Sequence, residues 1–499
     1  MSLELVRTLQ QQWHAQLVET HISWVLLDGQ CAWKIKKPVH LSFLDFSELR
    51  TRQHLCEVEL QLNRRLAPDI YLGVHALTGS AAAPVLNGTG QPFEYVLQMK
   101  QFAPGALLSE HLTADTLQAV HLDKLARRLA AFHAQAAVAG PDTDWGSPQG
   151  ITQPVDVLLT GLAEHGCQDA CARLQPWLQD EARRLQPLWQ QRKEQGRVGE
   201  GHGDLHLANA VVLGDEVTAF DCIEFDPALR WIDGLSDIAF LAMDLMAHAR
   251  ADLAWRFINA YLDARGDHAG LPVLRYYLVY RALVRALVAR LRQDQQADQD
   301  RAPAAEGPDY LALALQLIEP TRPALLITHG LSGSGKSHVS APMLMAAGAV
   351  RLRSDVIRRQ LLGTGQYDRA STQATYARLH ELAALALSCG YPVIVDATFL
   401  DASERAHFRQ LARDRAVPFA ILHCHAPLPV LQERIQHRQA KGGDPSEADL
   451  AVLARQAHGG DALLPEEGPE ALDVDARQTW SAADLTRRWL NMAPPGKAV

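Results

Sequence analysis

Residues Gly330-Leu331-Ser332-Gly333-Ser334-Gly335-Lys336-Ser337 fill the pattern G-x-x-x-x-G-K-[ST]. Glycines at these places let consecutive backbone N–H groups close around a phosphate at a helix N-terminus. Lys336 then reaches the β/γ-phosphates, and Ser337 can ligate Mg²⁺. The motif needs a strand before it and a helix after it. Residues 324–329, Ala-Leu-Leu-Ile-Thr-His, read as a short buried strand, and an alanine-rich helical stretch follows. The segment 330–337 is therefore expected to bind a nucleoside triphosphate, with Gly330, Ser332, Gly333, Ser334, Gly335, Lys336 and Ser337 around it.

Three further carboxylate and arginine positions fit the same chemistry. Asp355 follows a predicted strand at 350–353, and the carboxyl ends of parallel strands are where ligands bind. Asp355 could act on an acceptor hydroxyl, and Arg358 could grip an acidic substrate. The competing reading is a helix-capping aspartate beside a surface arginine. Val393-Ile394-Val395-Asp396 is an apolar strand ending in a carboxylate, a candidate magnesium partner. Arg434 and Arg438 share one helix face. Placed on a lid with the flexible stretch 441–445, they suit charge developing on transferring phosphoryl oxygens. A plain solvated helix face is the alternative.

A second constellation lies upstream. His202-Gly203-Asp204 followed by Asn209 matches H-x-D-x-x-x-x-N, and a short predicted strand at 217–220 ends at Asp221. Phosphoryl transfer needs a carboxylate beside the acceptor hydroxyl, which Asp204 supplies, and oxygen ligands for Mg²⁺, which Asn209 and Asp221 supply. Such a site also calls for a lysine on a strand and a glutamate on a helix. Lys34 and Lys36 alternate on one predicted strand and so share a face. Lys34 with Glu59 is the preferred pair, with Lys36 and Glu57 as alternates.

The elements that must hold these residues fall into two patterns. Residues 22–27 and 31–35 read as a hairpin about Asp28-Gly29-Gln30, 50–66 as a helix and 93–99 as a strand, after which 106–189 and the stretch to 292 are mostly helical. Strands first and helices after suggest a two-lobed α+β domain over 1–293. The segment 294–308 has no apolar period and is broken by two prolines and a glycine, so a linker and connecting helix are expected over 294–320. From 321 to 499, strands at 324–329, 350–353, 392–395 and 419–425 alternate with helices, the signature of a parallel α/β sheet.

The bulk numbers are those of a soluble globular protein: 499 residues, 47% hydrophobic and 21% charged. A net charge of −9 speaks mildly against non-specific nucleic-acid binding. Seven scattered cysteines suggest a reducing compartment. Cys167 and Cys171 are read as helix residues. No basic-then-apolar leader and no long apolar run is present, so no membrane association and a cytoplasmic location are expected.

Residues about 20–290 resemble the aminoglycoside phosphotransferase-like branch of the protein-kinase fold, on the strength of 201–209 and of Phe220-Asp221-Cys222-Ile223-Glu224-Phe225-Asp226. The resemblance implies ATP between two lobes, the 93–102 stretch near the hinge, and Asp237 as a buried anchor under the catalytic loop. His133 reads as packing. No glycine-rich loop precedes Cys31, and Asp221-Cys222-Ile223 stands in place of Asp-Phe-Gly; both departures suit that branch and favour a small hydroxylated acceptor over a protein. Residues about 322–492 resemble small P-loop kinases of the polynucleotide-kinase, zeta-toxin and gluconate-kinase type, through Asp355-x-x-Arg358 and Asp396-Ala397-Thr398. That likeness implies a five-stranded parallel sheet with a lid. Together the halves resemble bifunctional aminoglycoside phosphotransferase/ATP-binding proteins.

The expectation is two ATP- and Mg²⁺-dependent phosphotransferase sites acting on hydroxyl groups of small molecules. Two other readings stay open: a nucleotide-driven regulator with no acceptor, and a nucleic-acid 5′-hydroxyl kinase acting through the C-terminal half.

Overall fold

The computed structural model describes residues 3–41, 44–298, 307–363, 368–441 and 448–495. The chain groups into two compact units. One comprises Met1–Pro154 with Gln186–Asp244; the other comprises Val155–Leu185 with Leu245–Val499. The cut does not fall at the segment read as a linker. Helices Ala251–Arg265 and Leu271–Asp298 group with the P-loop sheet, and the second of them runs on into that segment. Residues 299–306 of the linker lie outside the described residues, as do 442–445 of the flexible stretch next to the lid.

In the first unit, a six-stranded antiparallel sheet runs in the order Gln16–Glu19, Ser23–Leu27, Cys31–Lys36, Glu94–Lys100, Tyr71–Ser80, Ala83–Leu86. Asp28 makes the hairpin turn at Gly29, taking the N–H groups of Gln30 (2.8 Å) and Cys31 (2.6 Å). The strand Cys31–Lys36 is central, with Lys34 paired to Val25 and Leu97. Helix Leu49–Asn63 buries Arg52, Cys56, Glu59 and Asn63, spaced by three and four, along one face. The ribbon Ala210–Leu213 with Glu216–Ala219 places Asn209 against Phe220, beside Asp221.

In the second unit, five parallel strands run in the order Val350–Arg353, Val393–Asp396, Leu325–His329, Phe419–His425, Ala471–Asp475. The three inner strands are apolar along most of their length, as a sheet covered on both faces requires. Packed on one face are Val339, Met343 and Leu344 of helix Lys336–Ala347, together with Leu485 and Trp489 of helix Ala482–Leu490. The edge strand Val350–Arg353 is covered by helix Ala251–Arg265. Asn259 donates to Ala349 O (2.9 Å) and accepts from Arg351 N–H (2.7 Å). No helix among the described residues is long and apolar enough to cross a membrane.

Candidate nucleotide sites

The P-loop leaves the central strand at His329 and enters helix Lys336–Ala347. Its glycines are demanded by space and backbone. Gly330 has φ 137°, and a Cβ there would sit 2.2 Å from Cys424 O; at Gly333 (φ 83°) it would meet Leu431 O at 2.9 Å. Lys336 Nζ donates to Gly330 O and Leu331 O, each at 2.9 Å. Its desolvation beneath the loop lowers its pKa, with Asp396 opposing. The buried Ser334 hydroxyl finds no hydrogen-bond partner, and the Ser332 N–H is taken by Gln456 Oε1 at 2.9 Å. A glycine-rich loop with one ammonium, at a helix N-terminus, fits a polyphosphate.

A cavity of about 760 Å³ opens on this loop. Ser332, Gly333, Gly335, Lys336 and Ser337 line one side, with Asp355, Arg358, Asp396, Arg434 and Arg438 around it. Gly330 and Ser334 do not line the cavity. Asp355 accepts from Arg358 at 3.3 Å, so the aspartate and arginine form a pair within the first turn of helix Ser354–Leu362. Asp396 is buried at its strand end, with Ser340 Oγ at 3.5 Å and Arg353 Nε at 3.9 Å. Asp396 and Ser337 both line the cavity and offer the oxygen donors that a hard cation takes. Arg434 reaches Gly333 O (3.3 Å) and Ala476 O (3.1 Å), and Arg438 reaches Ala448 O (2.5 Å). Arg369, Thr372, Gln373 and Tyr376 present one face of helix Arg369–Ser388, and Arg455 and Gln456 come from helix Leu450–Gly459.

In the first unit, Lys34 Nζ donates to Glu59 (2.7 Å) and to Asp221 (2.6 Å). Lys36 donates to the other oxygen of Glu59 (2.6 Å) and to Glu224. Both lysines thus pair with Glu59, whereas Glu57 is exposed and bonded to Gln53. Burial raises the pKa of Glu59, but the two ammonium groups outweigh it and hold the carboxyl down at about 2. Lys34 would be lowered by burial, and the Asp221 and Glu59 charges carry it well above its usual range. Asp221 itself has φ 63°, a left-handed conformation rare outside glycine, fixed by the Tyr71 hydroxyl on its N–H (3.0 Å).

Asp204 lies on the loop that runs from His202 to Asn209. Asn209 Nδ2 donates to its carbonyl (3.0 Å) and to its carboxylate (3.1 Å). His202 is buried, accepts from Asp204 N–H at Nδ1 (3.3 Å) and must donate from Nε2 to Phe220 O (2.8 Å), so it is the neutral tautomer. Burial lowers its pKa in keeping with that. Beneath it, Asp237 accepts from the N–H groups of His202 and Gly203, and His133 Nε2 lies 3.0 Å from the same carboxylate. His133, read from sequence as packing, is therefore a hydrogen-bonding residue.

Sequence reasoning did not find Tyr71, Glu224, Asn63 (which accepts Cys222 N–H at 2.9 Å) or Gln456. Each acts on a residue far away in the chain, and only Glu224 lies in a stretch that the sequence singles out, where nothing gave it a role of its own. Cys167 and Cys171 are buried free thiols, and among the described residues no cluster of three His, Cys, Asp or Glu is placed for a metal.

A family model described as AAA domain matches residues 325–462. "Adenylyl-sulfate kinase" of Myxococcus xanthus is 32% identical over 149 residues, 29% of this chain and 76% of its own length. Among solved structures, that of "aminoglycoside phosphotransferase APH(2'')-Ib, ADP-bound" aligns with TM-score 0.33 and 13% identity, over 64% of this chain and 98% of its own. "Uncharacterized protein Rv2004c" of Mycobacterium tuberculosis is 31% identical over 456 residues, which span 88% of this chain and 89% of that one. At that identity and coverage, the chain belongs to the same protein family as Rv2004c.

Proposed function

We propose that this protein is an ATP-dependent phosphotransferase with two nucleotide sites, one per unit, each passing the γ-phosphoryl group to a hydroxyl of a small molecule. The observation that carries the reading is the single cavity on which Lys336, Ser337, Asp355, Arg358, Asp396, Arg434 and Arg438 converge. In it the loop N–H groups and Lys336 hold the phosphates, and Asp355 takes or orients the acceptor's hydroxyl proton. Arg358, Arg434 and Arg438 balance charge on the transferring group. Ser337 and Asp396 would hold magnesium, which would supply charge neutralisation for the phosphates. The cavity is lined as well by Arg369, Arg455, Thr372 and Gln373, with Asp401 and Glu404, a set of charged and hydrogen-bonding groups that suits a polar acceptor.

In the first unit, Lys34, oriented by Glu59, serves the phosphates. Asp204 receives the acceptor proton, and Asn209 with Asp221 supplies oxygen donors for the second magnesium site. Positioning and charge neutralisation, rather than covalent chemistry, do the catalysis at both sites.

The test is a metabolite-library screen with labelled ATP using the wild type, Lys336→Met, Asp204→Asn and the double variant. Each single variant should lose one phosphorylated product by at least about a hundredfold. ATP consumption with no phosphorylated product would reject the phosphotransferase reading in favour of a nucleotide-driven regulator.

A further inference from the structure

The lysine–glutamate pair of the first unit is doubled. Asp221, Lys34, Glu59, Lys36 and Glu224 form an unbroken chain of ion pairs, and Glu224 lies three residues after Asp221, so the backbone 221–224 closes the chain into a ring. The inner half is dry: Lys36 is 1% exposed and Glu59 is fully buried. Lys36 and Glu224 match no position that phosphoryl transfer requires, yet two more charges have been buried to place them.

The charge count shows what they do. Lys34 is divided between Glu59 and Asp221. A lysine that serves phosphate must give up part of that bonding. With one ammonium in the site, Glu59 would then be left as a buried carboxylate without compensation, at a cost of several kcal/mol. Lys36 holds the second oxygen of Glu59 independently, so Lys34 is released at little cost. Glu224 anchors Lys36 from the far side and ties the turn that sets Asp221 in its left-handed conformation.

We propose that Lys36 and Glu224 are positioning residues of the first unit's nucleotide site: they compensate Glu59 while Lys34 engages phosphate, and they fix the 221–224 turn that aims Asp221 at the metal. This rests on the reading of Lys34 and Asp221 as nucleotide and metal residues.

The experiment uses the full chain with Lys336→Met, so that turnover reports the first unit alone. Glu224→Gln keeps the shape of the side chain and removes its charge. The half-saturating Mg²⁺ concentration for ATP turnover should rise roughly tenfold or more, as removal of a ligand's supporting partner does elsewhere. KM for ATP should rise with it, while kcat at saturating Mg²⁺ should change less than about threefold. The double variant Lys36→Met/Glu224→Met exchanges the ion pair for apolar bulk and should fold. It should show the same magnesium defect, and restoring only Lys36 should not cure it. Either variant showing wild-type magnesium dependence with only a lowered melting temperature overturns the proposal and leaves the pair a scaffold. Asp221→Asn separates the two failures. If it leaves turnover intact, the nucleotide-site reading itself is wrong; if it abolishes turnover while Glu224→Gln does nothing, only this inference falls.

Discussion

Asp237 holds the backbone of residues 202–203 from beneath, accepting the His202 N–H at 2.7 Å and the Gly203 N–H at 3.0 Å. The loop that carries Asp204 is thus held by a carboxylate that lies outside the segment His202–Asn209. Burial pushes the Asp237 carboxyl up, and the hydrogen bond and charge of His133 with the His202 contacts push it down further, to well below its usual range. A depressed carboxylate stabilises the fold above its unfolded value, near pH 4, and loses that contribution as pH falls toward the folded value. Asp237→Asn should cost about 3 kcal/mol at pH 7. It should also flatten the acid limb of stability below pH 4. Urea melts from pH 7 down to pH 3 check both.

Gly330 and Gly363 make a matched pair of alanine tests. Both have positive φ, at 137° and 84°, but a Cβ at Gly330 would strike Cys424 O, whereas no described residue lies within 4 Å of one at Gly363. Gly363→Ala should cost only the strain of a backbone conformation (φ 84°, ψ −168°) that side chains scarcely enter, about 2 kcal/mol. Gly330→Ala must move a strand or reshape the loop. It should cost at least about 3 kcal/mol and abolish ATP binding at the P-loop, read by thermal melts and by calorimetry in the Asp204→Asn background.

His329 predicts a pH dependence in the second unit. Burial first, and the charge of His423 next to it, bring its pKa from the usual imidazole value to about 4; the two Nδ1 atoms lie 2.7 Å apart. The folded state therefore prefers the neutral ring. Its contribution is complete above the unfolded value near pH 6.5 and is lost as pH falls toward 4. Wild type should lose on the order of 2 kcal/mol across that window beyond what His329→Gln loses. Urea midpoints of the two proteins at pH 7 and pH 4.5 provide the comparison; equal slopes would contradict the assignment.

The parts legible in the sequence are those written locally. The P-loop carries its own pattern, and two lysines one residue apart in a strand must share a face, which made Lys34 the preferred residue and kept Lys36 as its alternate. The structure uses both because Glu59 has two oxygens, and no linear spacing conveys that. Glu57 looked equivalent to Glu59 by distance along the chain, yet the helix turns about 100° per residue, which sends it to solvent. Strand Tyr71–Ser80 was not foreseen: Gly73 sits at a register shift, and its burial does not alternate, so the period-2 signal is absent. Helix Leu271–Asp298 continues past the point where its apolar period fades, and polar residues there were read as linker. The grouping of residues 245–298 with the P-loop sheet depends on contacts such as Asn259 with Ala349, which join distant parts of the chain and leave no periodic trace.

Asn259 has a practical consequence for anyone dividing this gene. Its amide takes the place of a neighbouring strand at one point of the edge at Val350–Arg353, bonding Ala349 O and the Arg351 N–H. A fragment begun at residue 321 would present that bare rim to its neighbours, inviting strand-to-strand stacking into insoluble material. One begun near residue 245 would carry its own guard.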